Sequence, residues 1–174
     1  MTAQGVSAAR RLSPLGWLGI PMLLCVLATV VLATPVRPFG LALPQPVFPL
    51  ALAFAWALIR PSVLPPFALL ALGLFLDVFW GGPQGLWPLC LLAAYAAVLL
   101  LRRLITGQDF IVMGAWYGLT AAAAFGVGYL LMTMDAGGQP SLLALGWQFL
   151  WTLLLYPFAH RLIDRYEDAD VRFR

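Results

Sequence analysis

A single acidic side chain, Asp77, lies within an apolar run of this sequence, and it is the residue best placed to do chemistry. An aspartate near the centre of a membrane helix costs roughly 2.5–3.5 kcal/mol on insertion scales, so a carboxylate in such a run marks a functional site by default. Small and turn-forming residues surround it, and the candidate motif comprises Gly73, Asp77, Gly81, Gly82, Pro83 and Gly85. The motif is predicted either to contact a partner or to build the local structure.

Three roles are open for the Asp77 carboxylate. Gly73, Asp77 and Gly81 are spaced by four residues, so they share one face of a helix, where small neighbours let another helix approach. The carboxylate is predicted to bond to loop backbone at the helix end, to contact a ligand or partner, or to relay protons. A relay is the least favoured role because no second acid lies within an apolar run. Arg37 and the backbone amides of residues 81–83 are the candidate partners of the carboxylate.

The sequence lacks the residue sets that catalysis and metal binding need. His160 is its only histidine, and Cys25 and Cys90 both lie inside apolar runs. Nucleophilic catalysis requires a nucleophile beside a base, and a metal centre requires a cluster of ligands. We therefore expect no enzymatic activity, no cofactor and no metal. Both cysteines are predicted to be small apolar core residues rather than a disulfide.

The elements that must position these residues are membrane helices. Of the 174 residues, 63% are hydrophobic and only 10% are charged, whereas soluble domains carry about 25% charged residues. A membrane helix needs about 20 apolar residues. Arginines, prolines and glycines divide the apolar sequence into six spans, which are predicted at residues 15–36, 46–59, 64–80, 86–101, 110–134 and 141–159. The predicted fold class is an all-α integral membrane protein, a bundle of about six transmembrane helices. A cytoplasmic segment at residues 1–14 and a cytoplasmic tail at 161–174 are predicted to flank the transmembrane domain at 15–160.

Prolines make the start of the second span unusual. Pro44, Pro46 and Pro49 precede or open it. They predict an extended or re-entrant entry before a short helix. Irregular backbone of this kind survives at membrane depth only where protein or a water-filled cavity shields it.

The fifth span carries small residues at intervals of four, and these are Gly114, Gly118, Ala122 and Gly126. Small residues at this spacing let the backbones of two helices pack closely. The pattern predicts a helix-packing face. Two partners are open for it, another helix of this bundle or another membrane protein.

The arginines predict the orientation of the chain in the membrane. All ten basic residues are arginines, and they stand singly or in pairs between apolar runs, which gives no patch for nucleic acid. With the N-terminus in the cytoplasm and six crossings, every arginine except Arg37 lies on the cytoplasmic side, as the positive-inside rule demands. Both termini are then predicted to be cytoplasmic.

The motif resembles one known family. The stretch Gly73-Leu74-x-x-Asp77, followed by Gly81-x-Pro83-x-Gly85-Leu86, is similar to the rod-shape-determining membrane protein MreD of bacteria. The apolar run at residues 49–61, which ends in Arg-Pro, is similar as well, and the resemblance covers about residues 44–100. Small size and short loops agree with it.

The resemblance implies a non-catalytic scaffold of the cell-wall elongation complex in the bacterial inner membrane. Its implied partners are MreC, the RodA glycosyltransferase with its penicillin-binding transpeptidase, and the actin-like MreB. The tail after His160 lacks a strong basic cluster, which puts a tail-mediated MreB contact in doubt. MreD proteins have a helix arrangement similar to the substrate-binding subunits of energy-coupling-factor vitamin transporters. The alternative function is therefore a solute-binding subunit of such a transporter.

Overall fold

The computed structural model describes residues 15–33, 45–134 and 141–171, and these ranges contain helices but no strand. The helices in chain order are α1 (Ile20–Ala33), α2 (Phe48–Ile59), α3 (Leu64–Trp80), α4 (Leu86–Ile105), α5 (Phe110–Met134), α6 (Leu142–Leu153) and α7 (Tyr156–Val171). A π-helical turn, Leu15–Gly19, leads into α1. The predicted all-helical class is confirmed over these ranges. Arg37, the predicted segment 1–14 and residues 172–174 lie outside the described residues.

Half of the described apolar helices are long enough to cross a membrane. Three helical stretches are long and apolar enough to cross a membrane, namely Leu86–Ile105, Phe110–Met134 and Leu142–Tyr166. Three shorter apolar helices accompany them, Gly16–Leu32, Phe48–Ile59 and Leu64–Trp80. The 12 residues of α2 extend over only about 18 Å, compared with about 30 Å for the hydrocarbon core of a bilayer. As a straight helix, α2 is therefore too short to cross alone.

Helix α2 lies at the centre of the bundle. Every residue from Pro49 to Leu58 is buried, which is the pattern of a helix surrounded by other helices on all sides. Helices α4 and α7 pack along it most extensively, and α1, α3, α5 and α6 also contact it. Near its end the Trp56 indole donates a hydrogen bond to the carbonyl of Trp17 at 3.3 Å. The core is thus arranged around the shortest of the predicted spans.

The predicted irregular entry to the second span is confirmed for residues 45–47, which are not helical. Val47 is fully buried, and its backbone N–H donates to Thr152 Oγ1 at 3.1 Å. Gln45 Oε1 accepts a hydrogen bond from the Trp80 indole at 2.7 Å. This non-helical segment therefore has polar partners within the protein, as such backbone requires at membrane depth.

The sixth predicted span is wrong in one respect, because residues 141–159 do not form one continuous helix. Helix α6 ends at Leu153 and α7 begins at Tyr156. Pro157 has no N–H to donate to the carbonyl four residues earlier, and its ring clashes with a helical carbonyl at that position. The helix therefore breaks at residues 154–155. It then continues to Val171, well beyond the predicted end of the span.

Candidate functional site

The Asp77 carboxylate caps the following helix, α4. Asp77 is only 2% exposed. Its Oδ2 accepts the backbone N–H of Gly85 at 2.5 Å, and its Oδ1 accepts the backbone N–H of Trp87 at 3.0 Å. The N-cap residue of α4 is Gly85, which has no side chain to serve these donors. A carboxylate at this position also meets the positive end of the helix dipole, which stabilises its charge.

The remaining amides at the start of α4 are also accounted for. A helix leaves its first N–H groups without an intrahelical acceptor. The Leu86 N–H donates to the carbonyl of Pro83 at 3.3 Å, and Pro88 has no N–H at all. Leu89 then begins the regular pattern by donating to Gly85 at 3.1 Å. Asp77 thus supplies the acceptors that the N–H groups of Gly85 and Trp87 would otherwise lack.

Two glycines give the turn its backbone shape. Gly81 ends α3 in the left-handed region with φ of +65°, and Gly85 precedes α4 with φ of +96°. Glycine adopts these angles without the steric penalty of a Cβ atom. The backbone carbonyl of Asp77 accepts the N–H of Gly81 and that of Gly82, the latter at 3.2 Å. Asp77 therefore fixes both the end of α3 and the start of α4.

Gly73 sits one turn before Asp77, at a close approach of the two helices. A Cβ atom at this position would fall within 3.0 Å of the backbone nitrogen and Cα of Pro88 in α4. Because backbone atoms cannot move aside as a flexible side chain can, only glycine fits here. Gly73, Asp77, Gly81 and Gly85 are therefore brought together in one helical hairpin.

The geometry around Asp77 corresponds to the helix-end role among the three predicted roles. Both carboxylate oxygens accept backbone N–H groups, but those of Gly85 and Trp87 rather than those of residues 81–83. No side-chain cation contacts this carboxylate within the described ranges. Arg37, the other predicted partner, lies outside those ranges.

The predicted helix-packing face on α5 divides into two halves. A Cβ at Gly114 would lie 3.0 Å from the Tyr156 ring, and one at Gly118 would lie 3.6 Å from the Leu153 side chain. This half packs inside the bundle, against the ends of α7 and α6. Ala122 and Gly126 are exposed, and a Cβ at Gly126 would meet open space. The second half therefore faces outward.

Among the described residues, neither cysteine nor His160 forms a hydrogen bond or an ion pair with Asp77. Cys25 and Cys90 are both free and buried. The His160 ring stacks on Phe110 at 4.8 Å, and its Nδ1 lies 2.9 Å from Asp164 Oδ1 on the next turn. The described residues include no group of three or more potential metal ligands.

A pocket of about 460 Å³ lies at the end of the bundle where α3 turns into α4, here called the hairpin end. The pocket is lined by residues from α3, α4, α5, α6 and the non-helical residues 45–47. They include Gln45, Trp80, Trp87, Phe125, Ser141 and Gln148. No pattern in the sequence indicates this site. Its polar residues are far apart in sequence, and only the folding of residues 45–47 into the bundle brings Gln45 near Gln148.

Thr152 connects the non-helical entry to α2 with the end of α6. Its side chain is fully buried, and its hydroxyl accepts from Val47 and donates to the Gln148 carbonyl at 2.8 Å. Its own carbonyl accepts the Tyr117 hydroxyl at 2.9 Å. Thr152, near the end of α6, therefore forms hydrogen bonds to the residue before α2 and to Tyr117 in α5, next to the break that precedes α7.

These features define the class of protein as a helical membrane bundle with a capped hairpin at one end. Comparison with protein-family models, with curated proteins and with solved structures finds no match to this chain.

Proposed function

We propose that this chain is a non-catalytic scaffold of the bacterial cell-wall elongation complex, similar to MreD. It controls cell shape by binding an MreC-like protein and, with it, RodA and its penicillin-binding transpeptidase, in association with MreB. The feature that best supports the proposal is the hairpin formed by α3 and α4. The motif residues that resemble MreD are the residues that build this hairpin.

The tip of the hairpin supports a role in docking. Pro83 and Gln84 are exposed, while Asp77 holds the backbone on either side of them through four hydrogen-bonded amides, those of Gly81, Gly82, Gly85 and Trp87. A surface that is already fixed in shape loses less conformational entropy when it binds. A buried carboxylate that shapes an exposed tip suits a scaffold better than it suits chemistry.

The arginine distribution supports an orientation for this tip. We propose six crossings of the inner membrane with both termini in the cytoplasm, which follows the positive-inside rule. The hairpin tip then faces the periplasm. MreC proteins, which the resemblance implies as partners, are periplasmic with one membrane span, so the tip is accessible to them.

Affinity purification from native membranes tests the scaffold role. The wild-type chain is compared with Gln84→Arg, which changes the exposed tip, and with Gln108→Arg, which makes the same change at an exposed residue in the turn after α4. We expect an MreC-like protein with the wild type and with Gln108→Arg, and its loss with Gln84→Arg. Absence of every elongation protein from the wild-type sample, or normal cell shape after clean depletion, would contradict the proposal.

The pocket favours a second candidate function, that of a solute-binding subunit of an energy-coupling-factor type transporter. A volume of about 460 Å³ falls in the range of about 300–1,000 Å³ typical of ligand sites. This function predicts that the purified chain carries a small molecule and brings down ATPase-type transporter subunits. The same purification decides between the two functions, because a scaffold recovers no such subunits.

A further inference from the structure

The pocket at the hairpin end contains hydrogen-bonding groups that the described protein leaves free. The Gln148 side-chain amide lines the pocket and makes no hydrogen bond to another described residue. Gln45 uses its Oε1 to accept from the Trp80 indole, which leaves its NH₂ group to donate. The Ser141 hydroxyl accepts the N–H of Ala144 and keeps its own O–H to donate. The two primary amides are thus polar groups available to a ligand, alongside this hydroxyl.

The described lining of the pocket is uncharged and does not favour ionic ligands. Among the described residues that line the pocket there is no Asp, Glu, Lys, Arg or His. A charged ligand would lose its hydration without gaining a counter-charge, which is costly in a site of low polarity. An uncharged ligand avoids that penalty.

Aromatic rings form a wall of the pocket. Trp80 and Trp87 pack edge to face at 5.1 Å, and Trp87 packs edge to face with Phe125 at 6.1 Å. Each ring is thus held by the next, so the wall is already formed before a ligand enters. Such a wall offers a planar ring a surface for stacking or edge contact.

The backbone that carries the two amides is fixed by Thr152. Its hydroxyl accepts the N–H of Val47, two residues after Gln45, and donates to the carbonyl of Gln148, one turn earlier in α6. Binding sites in membrane bundles commonly lie beside interrupted helices, because the interruption exposes polar groups within protein. This arrangement positions both amides at a preformed site.

We propose that the pocket binds an uncharged small molecule that combines a planar ring with an amide or lactam group. A primary amide presents one donor and one acceptor side by side, which matches the donor and acceptor of another amide. The ring lies against Trp80, Trp87 and Phe125, and the ligand amide bonds to Gln148. The inference rests on the pocket that supports the second candidate function, and it holds whether or not the chain also acts as a scaffold.

Binding of three matched probes to the purified full-length chain tests the proposal. Indole-3-acetamide carries a ring and an amide, indole-3-acetate carries the same ring with a negative charge, and 3-ethylindole has no polar group on its side arm. Equilibrium dialysis in nanodiscs, with protein-free nanodiscs as the blank, measures each probe. We expect saturable binding of the acetamide and much weaker binding of the other two. Equal uptake of the acetamide and 3-ethylindole would indicate an apolar groove for lipid and would overturn the proposal.

Variants of the lining residues locate the binding. Gln148→Leu removes the free amide, and we expect acetamide binding to weaken about threefold to tenfold, the effect of one uncharged hydrogen bond. Gln108→Leu, the matched change away from the pocket, is expected to bind as the wild type does. Ala144→Phe fills the pocket from an exposed position on α6 and should abolish binding, which tests the site even if Gln148→Leu fails to fold. Wild-type affinity in a folded Ala144→Phe would overturn the assignment.

The outcome separates this inference from both candidate functions. Acetamide binding without ATPase-type subunits in the native purification supports the pocket but not the transporter. Recovery of an MreC-like protein without probe binding supports the scaffold and overturns the pocket. Binding of a peptide with an aromatic side chain that indole-3-acetamide does not displace would also overturn the proposal. It would assign the pocket to a protein partner.

Discussion

A buried carboxylate that serves two backbone amides contributes to stability through both of them. Asp77→Ala removes the acceptors for the N–H groups of Gly85 and Trp87. We expect the variant to lose about 2–4 kcal/mol of stability, since hydrogen bonds to a charged group and helix caps each contribute on the order of 1–3 kcal/mol. Reversible unfolding in mixed micelles measures this change. Gln84→Ala, in the same turn but exposed, serves as the control, and equal stability of the two variants would contradict the capping role.

This stability effect changes how Asp77 variants are interpreted in binding experiments. Loss of a partner from Asp77→Ala would follow equally from a deformed hairpin and from a lost direct contact. Gln84 avoids the ambiguity because its side chain is exposed and bonds to no other described residue. The tip residue, rather than the carboxylate, is therefore the better probe of docking.

Glycine at position 73 is predicted to be required for helix contact. In Gly73→Ala the new methyl group collides with the backbone of Pro88, so the helices must separate, at an expected loss of about 1–3 kcal/mol. Gly126→Ala is the matched control, because its methyl group meets open space and alanine favours a helix over glycine by up to about 1 kcal/mol. The same unfolding assay should therefore give changes of opposite sign. Destabilisation by both variants to the same extent would rule out the close approach as the cause.

The sequence indicates Asp77 as an unusual residue, but it does not identify the partners of its carboxylate. Hydropathy alone makes an acid in an apolar run conspicuous. The partners are amides of Gly85 and Trp87, and their availability depends on the path of the turn and on Pro88, which no spacing rule encodes. The aromatic and amide lining of the pocket was missed for a related reason, since its members come from five separate elements.

At the scale of elements, irregular backbone was easier to predict than its position in the fold. The prolines before α2 indicated a non-helical entry and a short helix, and the structure has both. Their pattern did not indicate that α2 would lie at the centre, because an apolar helix faces lipid and protein equally well. The predicted span at residues 141–159 contains Pro157, and proline within a helix commonly breaks it.

The junction of these two interrupted elements depends on the hydroxyl of Thr152. In Thr152→Val the shape is nearly preserved, but the buried N–H of Val47 loses its acceptor. An unsatisfied buried donor costs about 1–3 kcal/mol, and we expect a loss of stability of that size. Thr120→Val is the control, since the Thr120 hydroxyl is also largely buried but bonds only within its own helix, to Trp116. Similar losses for the two variants would mean that the junction adds nothing beyond an ordinary buried hydroxyl.

At the scale of the whole molecule, many large hydrophobic side chains along the described helices are exposed. Three of the described arginines, Arg60, Arg102 and Arg103, lie at the end of the bundle away from the hairpin, where α2 and α4 end. Arg102, in the last turn of α4, donates to the carbonyl of Leu58 at 2.9 Å and so closes the end of α2. Arg60 and Arg103 near it are exposed. This separation of positive charge from the hairpin is the arrangement on which the proposed orientation depends.

Accessibility of two opposite turns tests that orientation directly. Cysteine is introduced as Gln84→Cys at the hairpin tip and as Gln108→Cys in the turn after α4, with Cys25 and Cys90 replaced by alanine. Since residue 84 precedes α4 and residue 108 follows it, one crossing of α4 places the two positions on opposite sides of the membrane. We expect a membrane-impermeant thiol reagent to label Gln84→Cys in intact cells whose outer membrane has been permeabilised, and to label Gln108→Cys only after lysis. The reverse pattern would invert the topology and place the hairpin tip in the cytoplasm, where the periplasmic part of an MreC-like protein has no access to it. Labelling of both positions in intact cells would show instead that α4 does not cross the membrane.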